Sequence, residues 1–253
     1  MLGAMGWLQR FLGSSSARTT GYPTSSNRAS SFHLRWDGLP PRERIVAVSA
    51  TLTVVVAPVV PELHFWALQA SFTDGGRRFG AGHLGLQWYP RHPGSTAVNW
   101  GGYRQGGGEL DGSPSALPSA TGNPNTRDLA WEPGRPYRLE IGVGGRPGHW
   151  RGSVDGTAVR ELHAGGTGLA DVVVWSEIFA RCDDPSSVVT WSGFEARTAD
   201  GGTVRPDRVV VNYQRHADGG CANTDVRPTA GGLSQLTSTG RTTPQGAVLP
   251  VEG

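Results

Sequence analysis

After residue 30 the chain alternates apolar and polar positions with a period of two. In Leu63–Phe72, Trp66, Leu68, Ala70 and Phe72 fall on one side and Phe65, Ala67, Gln69 and Ser71 on the other. In His83–Tyr89 the split sets Leu84, Leu86 and Trp88 against His83, Gly85, Gln87 and Tyr89. In Ala97–Tyr103, Val98 and Trp100 oppose Asn99 and Tyr103. Successive side chains of a strand point to opposite faces, so this pattern predicts three strands with one side in a core and one side wetted. Trp66, Trp88 and Trp100 then belong to the core, and His83, Gln87, Asn99 and Tyr103 to the wet face.

The same reading predicts strands at Phe32–Trp36, Tyr137–Val143, Trp150–Val154, Ala158–Leu162, Val172–Ala180, Val188–Arg197, Val209–Tyr213 and Leu233–Thr237. Ile45–Val56 is apolar almost throughout, which predicts a strand buried on both faces. Asp37-Gly38, Asp74-Gly75-Gly76 and Asp155-Gly156 mark turns, the last with the two-residue hairpin signal. No helical periodicity of useful length follows Leu12, although Met1–Leu12 suits a short amphipathic helix. About twelve short strands without helices predict an all-β, two-sheet antiparallel sandwich. Residues 1–29 read as a flexible N-terminal segment, 30–215 as the sandwich, and 216–253 as a C-terminal extension packed on it or tied to it. Arg104–Leu129, rich in Gly, Pro, Ser and Asn, is a long loop of the kind that forms a lid, a binding loop or an insertion.

Composition narrows the function classes. The 253 residues include 38 Gly and 18 Pro, as expected for many turns, and nine Trp, which serve either a thick core or a stacking surface. The 23 basic residues are all Arg, carry a net charge of only +2, and are spread without a run, which argues against a nucleic-acid partner. No apolar run is long enough to span a membrane. Cys182 and Cys221 both sit beside turn residues, outside any Cys-x-x-Cys or His-rich setting. They suit a disulfide closing 39 residues, worth roughly 3–4 kcal/mol on a chain-entropy account. Such a bond points to an oxidising compartment and so to an extracellular protein, despite a start that lacks a clear export signal.

The candidate chemistry is sparse. Glu177 lies mid-strand in VVVWSEIFA, on the face of Trp175 and Phe179. A carboxylate among aromatic rings can be desolvated and serve as an acid, accept sugar hydroxyls, or simply pair with Arg181. His83, Gln87, Asn99 and Tyr103, joined by Trp175 and Glu177, offer the planar polar groups and aromatic faces that a sugar site uses. Glu109-Leu110-Asp111 is the one Glu-x-Asp spacing, but it sits in GGGELDGSP and reads as a turn. Asp171, Asp183 and Asp184 are loop oxygens of the sort Ca²⁺ takes, with a plain turn the simpler reading. The scattered His show no zinc spacing, so no cofactor is expected.

The order GHLGLQW, VNWGGY, WEPGRPYRLEI, GHWRGSVDG and VVVWSEIFARC resembles uncharacterised bacterial, actinobacterial-type jelly-roll domains of the concanavalin-A-like lectin/glucanase superfamily, over roughly Ser30 to Arg197. The resemblance implies a jelly-roll sandwich and a secreted, glycan-associated setting. The expectation that results is a secreted, monomeric, non-catalytic domain binding carbohydrate or cell-surface glycan. A polysaccharide-active hydrolase or lyase using Glu177 is one alternative, and a structural or protein-interaction domain is the other.

Overall fold

The structure is a computed structural model that describes residues 18–39 and 44–251; the helix suggested for Met1–Leu12 lies outside them. The chain forms an all-β antiparallel sandwich of the jelly-roll class. The front sheet contains β1 (Ser30–Asp37), β3 (His64–Asp74), β4 (Arg77–Trp88), β5 (Thr96–Arg104), β6 (Thr126–Arg127), β10 (Gly168–Ile178), β13 (Arg208–Tyr213) and β16 (Val248–Pro250). Its order is β16-β13-β1-β10-β3-β4-β5-β6. The back sheet contains β2 (Ile45–Val56), β7 (Pro136–Val143), β8 (His149–Val154), β9 (Thr157–His163), β11 (Val188–Thr198), β12 (Thr203–Val204), β14 (Asp225–Thr229) and β15 (Gly232–Leu236). Its order is β14-β15-β11-β2-β7-β8-β9, with β12 beside the end of β11. A single pairing, Leu169 with Ile45, joins the two.

The turns follow from local chemistry. Gly75 and Gly76 between β3 and β4, and Asp155 and Gly156 between β8 and β9, all adopt positive φ. That is the backbone of the tight hairpin turn whose twist matches the strands it joins. The inward side chains of β3, β4 and β5 meet those of the back sheet, and Trp66, Trp100, Trp150, Trp191, Phe72 and Phe194 are among the largest fully buried groups. Phe72 stacks on Trp150 at 5.4 Å across the interface. Trp100 fits only because glycines face it. A methyl group at Gly82 would come within 2.6 Å of the indole, and one at Gly152 within 2.7 Å.

The apolar run of β2 differs from expectation. Leu52 and Val54 enter the core, Thr51 and Thr53 point outward, and Val55 and Val56 are about half exposed. β-branched residues suit a wetted strand face as well as a buried one, so a continuous run does not report burial on both sides. The Arg104–Leu129 segment closes the edge of the sandwich between the sheets. Tyr103 bridges Glu109, Gly112 bridges Leu162 of β9, and Leu110 is buried.

The C-terminal residues extend both sheets, β14 and β15 on the back and β16 on the front. Gln235 of β15 reaches the core, where its Oε1 accepts from Trp191 Nε1 and Ser176 Oγ and its Nε2 donates to the Phe32 carbonyl. Asp225 is fully buried and accepts from Arg227 Nε, Thr242 Oγ1 and the backbone N–H of Thr243 and Val226. Burial alone would raise its carboxyl, but these donors outweigh that and hold it below the ordinary aspartate value. Cys182 and Cys221 form the expected disulfide, with Cα atoms 5.5 Å apart.

Two outcomes are expected. Gly152→Ala forces a methyl against the Trp100 ring and should cost about 1–3 kcal/mol, a fall in Tm of about 2–10 °C, measured by calorimetry. Asp225→Asn should lower Tm at pH 7. Because the wild-type carboxyl is depressed, its contribution is present above the unfolded aspartate value and is lost as pH falls through the folded one. The variant should therefore lose less stability than wild type below about pH 4, read from chemical denaturation at stepped pH.

Candidate functional site

The outer faces of the two sheets carry different chemistry. On the back sheet, Arg138 and Arg205 pair with Glu195, Arg197 with Glu140, and Arg151 with Glu161. This is a ladder of partly exposed ion pairs, each worth little. The middle of the front sheet holds no such ladder. Its outward positions bear aromatic, amide and small side chains with one carboxylate among them.

A bulge in β10 puts that carboxylate there. Register with β3 shifts between Ala170 and Val173, and Asp171 takes φ 48°. Leu169 is buried before the shift, and Val172 and Val174 after it, so Val173, Trp175 and Glu177 turn outward. Cross-strand pairing then sets up three rows. The first runs Ser31, Glu177, Phe65, Gln87, Ala97. The second runs Asn212, His33, Trp175, Ala67, Gly85, Asn99, Thr126. The third runs Arg35, Val173, Gln69, His83, Gly101. Glu177 and Gln87 are thus two strand spacings apart, about 10 Å between Cα atoms, with Phe65 between them.

The rings form a continuous cluster. Phe65 meets Trp175 edge-on at 4.9 Å and His83 at 5.7 Å, and His83 lies 6.0 Å from both Trp175 and Tyr103. The small residues Ala67, Gly85 and Gly101 form a low floor beside it. Phe65, Ala67, Val173 and Trp175 make a second hydrophobic cluster separate from the main core.

Burial sets the charge states. The His83 imidazole is pushed down to about 4 by desolvation, so it is neutral at pH 7 and can donate or accept. His33 is lowered by the same cause. Glu177 is raised by desolvation, partly offset by Asn27, whose Nδ2 donates to Glu177 Oε1 at 2.8 Å. Gln69, Gln87 and His83 enter no side-chain hydrogen bond among the described residues, and none is sealed from solvent. Trp175 Nε1 and His33 Nδ1 are buried there without a partner.

Two hollows flank the face. One of ≈ 400 Å³, at the row of Arg35 and Val173, is lined by His33, Arg35, Asp171, Val173 and Asn212. The other, of ≈ 590 Å³, is lined by Tyr22, Arg28, Glu62 and Phe179. A wider hollow, ≈ 910 Å³ at the Asp37 end of the sheet, contains the Arg78–Asp171 ion pair and none of the aromatic cluster.

Of the residues anticipated from sequence, His83, Gln87, Trp175 and Glu177 fall on this one face. Tyr103 stands at its rim, 54% exposed. Asn99 lies on the same face, but its Nδ2 donates to Thr126 Oγ1 and the residue is 7% exposed, so it braces the β5–β6 edge. Phe65 and Gln69 were legible as outward positions; register sets Phe65 beside Glu177, and Gln69 beside Val173 and His83. Asn27 carried no signal at all in its Ser- and Asn-rich surroundings.

The other acidic candidates serve the framework. Asp111 pairs with Arg104, Asp171 with Arg78, and Asp183 with Arg181 and the Gly21 N–H. No group of three His, Cys, Asp or Glu side chains that could hold a metal occurs among the described residues. The immediate cross-strand neighbours of Glu177 are Ser31 and Phe65. Neither supplies the second carboxylate of ordinary glycoside hydrolysis. A lone carboxylate facing partnerless amides can move one proton and hold one polar linkage.

No protein-family model matches the chain, and no curated protein matches it. Among solved structures it is similar to scytalido-glutamic peptidase with a peptide-based transition-state analogue (TM-score 0.42, 11% identity, 87% of this chain and 99% of that one). It is also similar to SCP-B, a member of the eqolisin family of peptidases, in a complex with the tripeptide Ala-Ile-His (TM-score 0.39, 11% identity, 87% and 99% covered). Likeness at this level fixes neither activity nor substrate.

Proposed function

We propose that the outer face of the front sheet binds an extended polar polymer and that Glu177 hydrolyses an amide linkage in it. One observation carries this reading: a single carboxylate, raised by burial, shares a row with the partnerless amide of Gln87 across Phe65. In the proposed reaction the Glu177 carboxylate takes a proton from water as the water oxygen attacks the carbonyl carbon. The Gln87 amide N–H stabilises the oxyanion that forms. As the tetrahedral carbon collapses, the C–N bond breaks and protonated Glu177 returns its proton to the leaving nitrogen. Water and amide become acid and amine, with no second carboxylate needed. The disulfide supports an extracellular setting for this chemistry.

A second reading, non-catalytic glycan binding on the same face, is favoured by the exposed Tyr103 ring at the rim and the rings beside it. Aromatic faces of this kind stack on the C–H surfaces of sugars, as the resemblance to jelly-roll lectins implied.

The test is a panel of unstructured peptides assayed from pH 3 to 7 beside a glycan array. Wild type should cleave peptides; Glu177→Gln should lose about 10²–10⁴-fold in kcat, and Gln87→Ala about 10²–10³-fold. Absence of peptide cleavage by wild type at every pH overturns the hydrolase, and glycan binding lost in Tyr103→Ala but kept in Glu177→Gln establishes the second reading. A separate signature comes from stability. A carboxyl raised in the folded state stabilises below its unfolded value and loses that contribution as pH rises through the folded one. Glu177→Gln should therefore leave Tm at pH 7 unchanged or higher, as removal of a functional charge commonly does.

A further inference from the structure

Residues 18–29 cross the Glu177 end of the front sheet as a strap. Gly21 accepts from the Cys182 N–H through its carbonyl, and its own N–H donates to Asp183. The Thr24 N–H donates to the Gly219 carbonyl, and the Ala222 N–H to the Arg18 carbonyl. Gly219 approaches so closely that a methyl there would lie 2.1 Å from the Ser25 nitrogen. Ser30, at the end of the strap, accepts from the Cys221 N–H through its Oγ. The strap is thus fastened to the segments on both sides of the disulfide.

Within it, Ser25–Arg28 form a turn closed by the Arg28 N–H on the Ser25 carbonyl, with Arg28 at φ 60°. A non-glycine residue holds that conformation only where its surroundings over-determine it. The turn orients one side chain. Asn27 Oδ1 accepts from the Ala29 N–H at 3.2 Å, and it shares the single Ser25 Oγ proton, at 2.9 Å, with the Ala29 carbonyl at 2.6 Å. With the oxygen so occupied, the amide has one orientation, and Nδ2 is left facing Glu177 Oε1 at 2.8 Å. The charged or titratable side chains on the surrounding elements include Tyr22 and Arg28 in the strap, His33 on β1, Glu62 ahead of β3, and Arg181, Asp183 and Asp184 after β10. None of them is bonded to Glu177 among the described residues, and Asn27 is its side-chain partner.

We infer that Asn27, oriented by Ser25 and carried on the disulfide-anchored strap, is the positioning residue for Glu177: it fixes the rotamer of the carboxylate and favours its charged form. The inference rests on the reading of Glu177 as the acid–base group of the face. A donor to the charged form holds a carboxyl down, so its removal lets burial act unopposed. Asn27 touches no substrate in this scheme and acts through Glu177 alone.

The experiment is a ¹³C-carboxyl NMR titration of Glu177 in the full, oxidised chain, which needs no activity. Asn27→Ala should raise the midpoint by about one pH unit, the scale of one hydrogen bond to a charged group. Asn27→Asp keeps the shape and the Ala29 bond but sets a second carboxylate against the first, and should raise it further. Ser25→Ala, which frees the Asn27 amide without touching Glu177, should give a smaller rise in the same direction. Unchanged midpoints in Asn27→Ala and Ser25→Ala overturn the inference, and if Asn27→Ala does not fold, Ser25→Ala and Asn27→Asp decide it alone. Where peptides are cleaved, the acid limb of the rate profile should move with the NMR midpoint. Wild type without cleavage removes the hydrolase reading and leaves the titration to judge Asn27 by itself.

Discussion

Trp100 is held between glycines of the two sheets, and most of the sandwich depends on that contact. Its ring lies over Gly82 on the neighbouring strand and against Gly152 on the opposite sheet, closer than any Cβ would allow. The spacing between the sheets is set there, and Phe72 and Trp150 stack beside it. Close-packed interiors tolerate little change in volume, so the positions of β3, β4 and β5 follow from this one wedge. Those strands supply Phe65, Gln69, His83 and Gln87, whose outward placement is the reverse side of the same packing. The rigidity of the core is what allows the outer face to hold polar groups without partners.

The two outer faces show what the molecule reserves. The back sheet neutralises its charges pair by pair, an arrangement that keeps a β surface soluble and unattractive to other strands. The front sheet leaves amides unsatisfied, gathers rings around small residues, and buries much of a carboxylate. Of these, the burial of the carboxylate costs stability, since the charged form loses solvent there. The bulge at Asp171 is the device that makes the face. Without the extra residue, Trp175 and Glu177 would point into the core, where a carboxylate has no place, so the irregularity and the site are one feature.

The C-terminal residues finish the architecture from outside. Gln235 enters the core to satisfy Trp191, Ser176 and the Phe32 carbonyl, and Asp225 gathers the donors of its neighbourhood. The disulfide fastens this tail near the end of β10, and the N-terminal strap is fastened in turn to both sides of the disulfide. Covalent and hydrogen-bonded anchors therefore converge on the Glu177 end of the sheet.

Alternation with a period of two was enough to place twelve of the sixteen strands of the described residues, the two faces of β3, β4 and β5, the tight turns at Gly75-Gly76 and Asp155-Gly156, and the core roles of Trp66 and Trp100. These are local properties, written in neighbouring residues, and the chain states them without reference to its fold. The cysteine pair was legible for the same reason, since two cysteines beside turns, outside any metal-binding spacing, have few alternatives. The short β6, β12 and β16 carry too few residues to show a period, and alternation did not place β14. Register was not legible. Which outward residues stand side by side depends on pairings between strands more than a hundred residues apart, as Glu177 with Phe65. The continuous apolar run of β2 misled because a β-branched residue suits a wet strand face as well as a dry one. The strap was invisible because a Ser-, Thr- and Asn-rich segment is identical in composition whether it is loose or bonded at every turn. Hydrogen bonds to distant backbone decide between those states, and only the tertiary structure supplies them.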